Sequence, residues 1–415
     1  MNDLIISDVR VVTPLGSMAR KGAEMSELFI LDHASVFVSD GIIAYVGKER
    51  IPDKPDCVQI DGRGCCLLPG FIDSHSHLVF GGLRAEEFSW RLQGDSYMSI
   101  MKRGGGIVNT VKSTRVSDFD SLLAKSMELV HRMSEMGVTT VEGKSGYGLD
   151  RETEIKQLEV MQEMNKTEDC PVEIVPTFLG AHAVPEEYKG RSEEYIDFLI
   201  REMLPEIRKK NLAECCDVFC EEGVFSIEQS RRLLMEAKDL GYRLKIHADE
   251  IVSLGGAELA AELHALSADH LLHASDTGIR RLADSGVIAT LLPLTAFALK
   301  EPYARGREMI DAGCAVALAT DLNPGSCFSG SIPLTIDLAC IYMGLSIEET
   351  ITALTLNGAA AVGRAEKLGS IEVGKQADLI LLDYPDYHVL PYYIGMNCVN
   401  TTIKAGKIVK CKNNK

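Results

Sequence analysis

Short apolar runs separated by turns mark both ends of the chain. Residues 35–38 and 42–46 flank the turn Ser39-Asp40-Gly41, and two apolar runs around a glycine-containing turn predict a β-hairpin. The same pattern of short apolar runs recurs near the C-terminus, at residues 378–382, 401–404 and 408–409. We therefore predict one small β-sandwich domain built from both termini, residues 1–66 and 368–415.

The middle of the chain alternates between β-branched runs and amphipathic stretches. The predicted strands are residues 68–72, 137–141, 172–178, 217–219, 244–246, 268–272, 287–290 and 315–319. The predicted helices, with apolar residues three and four apart, include residues 118–136, 192–209, 227–240 and 255–264. This alternation predicts an α/β fold, a parallel (β/α)8 TIM-like barrel over residues 67–367. A doubly wound sheet is the alternative, but no glycine-rich dinucleotide turn supports it.

Composition and charge narrow the class of protein. The 415 residues are 46% hydrophobic and 25% charged, which is typical of a globular protein. A net charge of −17 argues against nucleic acid or an anionic membrane surface as partner. Residues 1–6 lack the features of a secretory signal, and residues 287–299 are too short to cross a bilayer. We therefore expect a cytoplasmic protein, its twelve cysteines mostly buried free thiols, with a cysteine zinc site as the weaker alternative.

A pair of histidines follows the first predicted barrel strand. His75 and His77 alternate along the chain, so both side chains can face one metal ion. His247 and Asp321 follow the fifth and eighth predicted strands, whose carboxyl ends meet at the mouth of a barrel. Three imidazoles and a carboxylate suit zinc or iron. The alternative is that His247 and Asp321 merely cap helices or loops.

Three more candidates stand at strand ends. Glu250 is placed to act as a general base, His270 to orient a water molecule, and His182 follows the third strand. Each of them is equally well explained by a structural hydrogen bond. Residues 216–221 contain no lysine that could be carbamylated to bridge two ions, which favours a single metal.

Several motifs resemble a known family. Pro69-Gly70-Phe71-Ile72-Asp73-Ser74-His75-Ser76-His77 resembles the first-strand signature of the amidohydrolase superfamily, and residues 369–379 resemble its return into the terminal β-domain. The loop motifs are similar to those of the imidazolonepropionase family, which opens a ring in histidine degradation. They lie at residues 77–88, 104–107, 140–149, 246–250 and 319–326, so the resemblance spans nearly the whole chain.

The resemblance implies an activity and roles for residues. The activity is hydrolysis of 4-imidazolone-5-propanoate to N-formimino-L-glutamate by a metal-activated water that attacks the ring amide carbonyl. One Zn²⁺ or Fe³⁺ per subunit would be bound by His75, His77, His247 and Asp321. Substrate contacts would come from Arg84, Tyr147, His182, Glu250, Asn323, Gly325 and Ser326. Catalysis would use Glu250 as base, His270 beside the water, and Glu250 or His182 as proton donor to the leaving nitrogen.

Physical chemistry is consistent with these roles and leaves alternatives open. Arg84 offers a planar fork for the substrate carboxylate, although a surface ion pair with Glu86 or Glu87 would also explain it. Residues 104–106, all glycine, form either a mobile lid or a plain turn.

Rival functions also remain. One is a deaminase or cyclic amidase acting on another heterocycle, such as cytosine or a hydantoin. Another is a non-catalytic protein on the same fold, against which the presence of all four metal ligands argues. The expected partner is a small molecule, with a homodimer as an open possibility.

Overall fold

The computed structural model describes residues 3–52, 57–95, 103 and 105–411. The described strands are β1 (Leu4–Thr13), β2 (Phe29–Ser39), β3 (Ile42–Gly47), β4 (Val58–Asp61), β5 (Cys66–Pro69), β6 (Phe71–Asp73), β7 (Val138–Lys144), β8 (Glu173–Ala181), β9 (Cys215–Cys220), β10 (Arg243–Ala248), β11 (Ser267–His270), β12 (Ile288–Leu291), β13 (Val316–Leu318), β14 (Leu379–Leu382), β15 (Val399–Lys404) and β16 (Lys407–Cys411). They form two sheets of eight strands each.

The strands β6 to β13 form the predicted barrel. They are parallel and lie side by side in chain order. The residues after β6 pair with those after β13 and bring the two edges together: the amide of Asp321 donates to the carbonyl of His75 at 3.0 Å, and the amide of His77 donates to that of Leu322 at 2.8 Å. Asp73 adds a side-chain link, because its carboxylate accepts hydrogen bonds from Thr320. The barrel prediction is confirmed.

The second sheet draws its strands from both termini, as predicted. Its order is β16-β15-β14-β5-β1-β2-β3, with β4 paired to β1. The first barrel strand is shorter than expected: Leu68 and Pro69 belong to β5, which pairs with β1 and β14 in the terminal sheet. Gly70 separates β5 from β6, and its amide donates to the carbonyl of Asp378. This apolar run therefore contributes first to the terminal sheet and then to the barrel sheet. Hydrophobicity alone does not show where one strand ends and the next begins.

Helices follow the barrel strands as the periodicity predicted. The described α-helices are Ala85–Leu92, Ile107–Val116, Phe119–Ser134, Arg151–Lys166, Ser192–Phe198, Leu204–Lys209, Ile227–Asp239, Gly256–Leu263, Asp276–Ser285, Pro293–Leu299, Gly306–Asp311, Ile332–Tyr342, Ile347–Leu354, Leu356–Ala361 and Val389–Tyr392. Short 3₁₀ helices lie at Gly22–Ser26 and Glu186–Tyr188.

The helix predicted over residues 192–209 contains one irregularity. A π-helical segment, Leu199–Met203, joins its two α-helical parts. Pro205, two residues after this segment, has no N–H to donate to the preceding turn, which accounts for the local change in the hydrogen-bond ladder.

Two further features of the described residues concern the cysteines and the length of the helices. None of the twelve cysteines, all within the described ranges, forms a disulfide; seven are buried and five are partly exposed. Within the described ranges, no group of cysteines is close enough to bind a metal ion. None of the described helices is long and apolar enough to cross a membrane.

Candidate active site

Four side chains meet where barrel strands end at the mouth. His75 and His77 follow β6, His247 lies near the end of β10, and Asp321 follows β13. The three histidines offer nitrogen atoms that all lie within 4.8 Å of one another. The Oδ1 atom of Asp321 lies 3.7 Å from Nε2 of His75 and equally far from Nε2 of His77. All four residues are buried, so the fold assembles the expected group away from bulk solvent.

The ring nitrogens of this group fit a metal ion. Nδ1 of His75 lies 2.6 Å from Oδ2 of Asp269, and since a carboxylate accepts, that nitrogen carries the proton and Nε2 keeps its lone pair. Asp217 stands in a similar place, with Oδ2 3.1 Å from Nδ1 of His247. Nε2 of His75 and Nε2 of His247 are buried without a hydrogen-bond partner among the described residues. Such orphaned nitrogens are the atoms that a metal would satisfy.

Backbone strain accompanies the strand ends at the site. Asp249, His270 and Asp321 all have positive φ, at 50°, 75° and 52°, which is uncommon for residues other than glycine. The side chain of Asp321 is further fixed by Thr295, whose hydroxyl donates to Oδ2 at 2.7 Å. Burial raises the pKa of Asp321 to about 6. A nearby cation would offset that cost, since it favours the ionised carboxylate.

Glu250, the base expected from sequence, lies beside His270. Its Oε2 is 3.6 Å from Nε2 of His270. Burial raises the pKa of Glu250 to about 8, and the carboxylates of Asp321 and Glu221 add to the shift. Glu221 also fixes the backbone here, because it accepts hydrogen bonds from the amides of Glu250 and Ile251 at 3.0 and 2.8 Å. A carboxyl group with so raised a pKa is suited to accept and return a proton near neutral pH.

The aromatic rings of Tyr147 and His182 lie next to the ring of His77. The rings of His77 and His182 stack with centroids 5.1 Å apart, and Tyr147 lies 5.2 Å from His182. Nδ1 of His182 donates to the carbonyl of Gly146 at 3.1 Å, since a carbonyl can only accept. Burial, and then the neighbouring His247, lower the pKa of His182 to about 3. His182 is therefore neutral, with its Nε2 available as an acceptor.

The side chain of Arg84 makes an ion pair with a neighbouring glutamate and also reaches the loop after β13. Its Nε donates to Oε2 of Glu87 at 2.8 Å, so the ion pair with a neighbouring glutamate is present. The other end of the guanidinium approaches the loop after β13, because a Cβ added to Gly325 would collide with Nη1 of Arg84. The Arg84 side chain thus reaches from the segment after β6 to the neighbouring loop after β13.

Asn323, Gly325 and Ser326 form a tight loop after β13. Oδ1 of Asn323 accepts from the amides of Gly325 and Ser326, both at 2.8 Å. Its Nδ2 donates to the carbonyl of Asp321 at 2.8 Å and to the hydroxyl of Ser326 at 2.9 Å. The Asn323 amide is thus engaged within the loop, and it ties the shape of that loop to the candidate ligand Asp321.

Sequence analysis missed a buried charge network beneath the histidines. Nζ of Lys144 lies 2.6 Å from Asp217 and 3.0 Å from Glu142, and Nζ of Lys245 lies 2.8 Å from Glu142. Asp269, which pairs with His75, is 3.5 Å from Lys144 and 3.7 Å from Lys245. All five are buried in the barrel interior. The available signal was a charge inside an apolar strand, such as Lys245 between Leu244 and Ile246.

The glycine segment can be followed only in part. Gly104 lies outside the described residues, so the lid hypothesis for residues 104–106 stays a prediction. Gly106 has φ of 84° and precedes the helix Ile107–Val116, and its amide donates to Oε2 of Glu87 at 2.9 Å.

Comparison with known proteins shows the family and the fold. A model of the amidohydrolase family matches residues 66–409. The imidazolonepropionase of Bacteroides thetaiotaomicron is 70% identical over 410 residues, covering 98% of both chains. That of Clostridium tetani is 58% identical over 412 residues, again covering 98% of both. The solved structure of an adenosine deaminase from Xanthomonas campestris matches with a TM-score of 0.69 and 21% identity, covering 98% of this chain and 92% of that one; at this identity only the fold is shared.

The family model spans the barrel, and the full-length relatives span both the barrel and the terminal sheet. The chain therefore belongs to the amidohydrolase family and, within it, to the imidazolonepropionases.

Proposed function

We propose that this protein hydrolyses 4-imidazolone-5-propanoate to N-formimino-L-glutamate, a ring-opening step of histidine degradation. The relatives that carry the name imidazolonepropionase over the full length support this. The observation in the molecule that carries the proposal is the arginine at the mouth: Arg84 reaches Gly325, in the loop that follows the candidate metal ligand Asp321. A metal site with a cationic group beside it suits a ring amide that bears a carboxylate.

The metal would be held by His75, His77, His247 and Asp321. Three nitrogens and one oxygen in a buried site suit Zn²⁺ or Fe³⁺. Such an ion, when bound, lowers the pKa of a water molecule and polarises the amide carbonyl.

A single ion per subunit is the stoichiometry that we propose. A second group of possible ligands, His75, Glu142 and Asp269, lies within bonding range of one cation. Lys144 and Lys245 already place two ammonium groups against these carboxylates. Because the lysines supply the positive charge that a second ion would bring, that position has no need of a metal.

The chain's own residues provide substrate binding and proton transfer. Arg84 binds the propanoate carboxylate, and Tyr147 offers its hydroxyl beside it; burial raises the pKa of that phenol, so it stays a hydrogen-bond donor. Glu250 takes a proton from the attacking water, with His270 next to it. As the carbonyl carbon to nitrogen bond of the ring breaks, Glu250 returns the proton to the leaving nitrogen.

His182 has a different role from that of a proton donor. Its only ring proton is used toward Gly146, so Nε2 accepts a hydrogen bond from a ring N–H of the substrate. Ser326 and the Gly325 backbone line the same loop, and Asn323 shapes it. Of the two donors considered from sequence, we therefore favour Glu250.

The proposed activity is tested with freshly generated imidazolone-propanoate and metal analysis of the same preparation. We expect ring opening that depends on bound zinc or iron, and loss of the metal from His247→Ala. Full metal occupancy without ring opening would overturn the proposal and favour deamination or cyclic-amide hydrolysis of another heterocycle.

We also propose a cytoplasmic homodimer. Twelve cysteines without a disulfide among them fit a reducing compartment. The helices Ile332–Tyr342 and Val389–Tyr392 pack together, and near them Tyr342, Tyr392 and Ile394 are exposed apolar side chains that a second subunit would cover. Light scattering should give twice the chain mass, and Tyr392→Asp should shift it toward the monomer; a monomeric wild-type protein would contradict the dimer.

A further inference from the structure

Glu87 is a buried charge that the proposed mechanism does not use. It lies on the helix Ala85–Leu92 at the barrel mouth and is only 6% exposed. Oε2 accepts from Nε of Arg84 at 2.8 Å and from the amide of Gly106 at 2.9 Å, while Oε1 accepts from Nδ2 of Asn109 at 3.0 Å. A buried carboxylate is expensive unless it is paired and hydrogen-bonded, and here it is both.

The geometry of the pair leaves part of Arg84 available. The contact with Glu87 is made through Nε, and among the described residues none accepts a hydrogen bond from Nη1 or Nη2. Nη1 lies against Gly325, where a side chain would collide with it. Glu87 thus fixes the plane of the guanidinium through Nε, and within the part of the chain that the structure describes Nη1 and Nη2 remain for a ligand.

Two opposite effects on substrate binding follow from such a pair. If Glu87 competed with the substrate for Arg84, its removal would strengthen binding of the carboxylate. If Glu87 orients Arg84, its removal would free a long side chain, and binding would then have to order that side chain again. The tie from Glu87 to Gly106 and Asn109, on the next helix, favours orientation, because a carboxylate held by two further donors cannot follow Arg84 into other conformers.

We propose that Glu87 is a positioning residue for recognition of the substrate carboxylate. It holds Arg84 through Nε so that Nη1 and Nη2 face the propanoate group together. This inference rests on the proposed function, since it needs a substrate with a carboxylate. Glu87 acts only through Arg84 and does not touch the reacting atoms, so it sets KM and specificity rather than the rate of bond breaking.

The test compares Glu87→Gln with wild-type protein on two substrates, imidazolone-propanoate and its propanamide analogue, which lacks the charge. For the propanoate we expect KM to rise about tenfold, the cost of ordering one long side chain, with kcat nearly unchanged. For the propanamide we expect no change in either constant. A lower KM for the propanoate, an unchanged one, or equal effects on both substrates would overturn the inference.

Two further variants keep the result interpretable. Glu86→Gln, an exposed neighbour on the same helix, is the matched control and should behave as wild type. Asn109→Ala removes one donor to Glu87 without altering the carboxylate, and should raise KM in the same direction by a smaller factor, even if Glu87→Gln folds poorly.

A binding measurement separates this inference from the proposed function. Imidazole-4-propanoate carries the same side chain and has no ring amide, so its dissociation constant can be measured by calorimetry without turnover. About tenfold weaker binding to Glu87→Gln supports the positioning role even if the wild-type protein opens no imidazolone ring. Equal binding to both proteins overturns it whether or not the ring is opened.

Discussion

Glu250 sits in an environment that makes a carboxyl group a useful base. It is partly buried near the carboxylates of Asp321 and Glu221, and it lies next to His270. A base there removes a proton at the moment of attack, a contribution worth about 100-fold or more. The proposed mechanism therefore depends on the proton affinity of one side chain.

Replacing Glu250 by Gln should lower turnover by about 100-fold while the metal content stays at the wild-type level, since Glu250 is not a ligand. Steady-state kinetics and metal analysis on one preparation check this. Glu222→Gln, an exposed neighbour of Glu221, should leave both unchanged. Normal turnover in Glu250→Gln would show that another group is the base.

The raised pKa of Glu250 also predicts how stability changes with pH in the metal-free protein. Its pKa of about 8 exceeds the ordinary value of 4.5, so between these values the folded state binds more protons than the unfolded state. The contribution of Glu250 to the free energy of unfolding is then present at low pH and is lost as the pH rises through that window. Urea unfolding at pH 5 and pH 8.5 should show a smaller decrease for Glu250→Gln than for wild type, and parallel decreases would contradict it.

Gly325 occupies a position that has no space for a side chain. A Cβ at this position would meet Nη1 of Arg84. Gly325→Ala should therefore displace the guanidinium and raise KM for imidazolone-propanoate, with a much smaller effect on the propanamide analogue. Parallel kinetics on the two substrates provide the check, and equal losses on both would point to a general distortion of the loop.

At the scale of elements, the inner faces of four barrel strands build a charged layer beneath the candidate metal ligands. β7 contributes Glu142 and Lys144, β9 contributes Asp217, β10 contributes Lys245, and β11 contributes Asp269. The layer sets the ring orientation of the ligands above it, because Asp269 accepts the Nδ1 proton of His75. Partners of this kind hold a ligand in the tautomer that binds metal.

Asp269→Asn should lower the affinity for Zn²⁺ by about 10- to 100-fold, since the amide loses the charge that stabilises the ligand. Competition with a chromophoric chelator measures the affinity directly, and thermal unfolding of the metal-free variant reports whether the fold is intact. Asp239→Asn, on an exposed helical position, is the control. Unchanged affinity in Asp269→Asn would mean that the layer supports the barrel but does not tune the site.

The same elements show what a sequence can and cannot predict. The barrel strands and the group of His75, His77, His247 and Asp321 follow from local patterns, because strand ends share one mouth whatever the details of packing. The charged layer does not, since Lys144 and Asp217 are 73 residues apart and no local pattern pairs them. Asn323 is similar: its residue type suggests a ligand contact, but its amide closes its own loop.

At the scale of the whole molecule, the terminal sheet is continuous with the barrel. β5 ends at Pro69 and β6 begins at Phe71, so the strand that leads to His75 is anchored in both sheets. A second link runs through Lys404, whose Nζ lies 2.7 Å from Asp378 in the segment before β14 and 3.4 Å from the hydroxyl of Thr140 in the barrel. The terminal sheet thereby holds the first barrel strand from outside.

The central claim is that water opens the ring amide of a carboxylate-bearing imidazolone at this site. The most direct measurement is mass spectrometry of the product formed by the metal-loaded protein from imidazolone-propanoate in ¹⁸O-labelled water. We expect N-formimino-L-glutamate with one ¹⁸O atom in the newly formed carboxylate and no release of ammonia. An intact ring, or ammonia as a product, would contradict it.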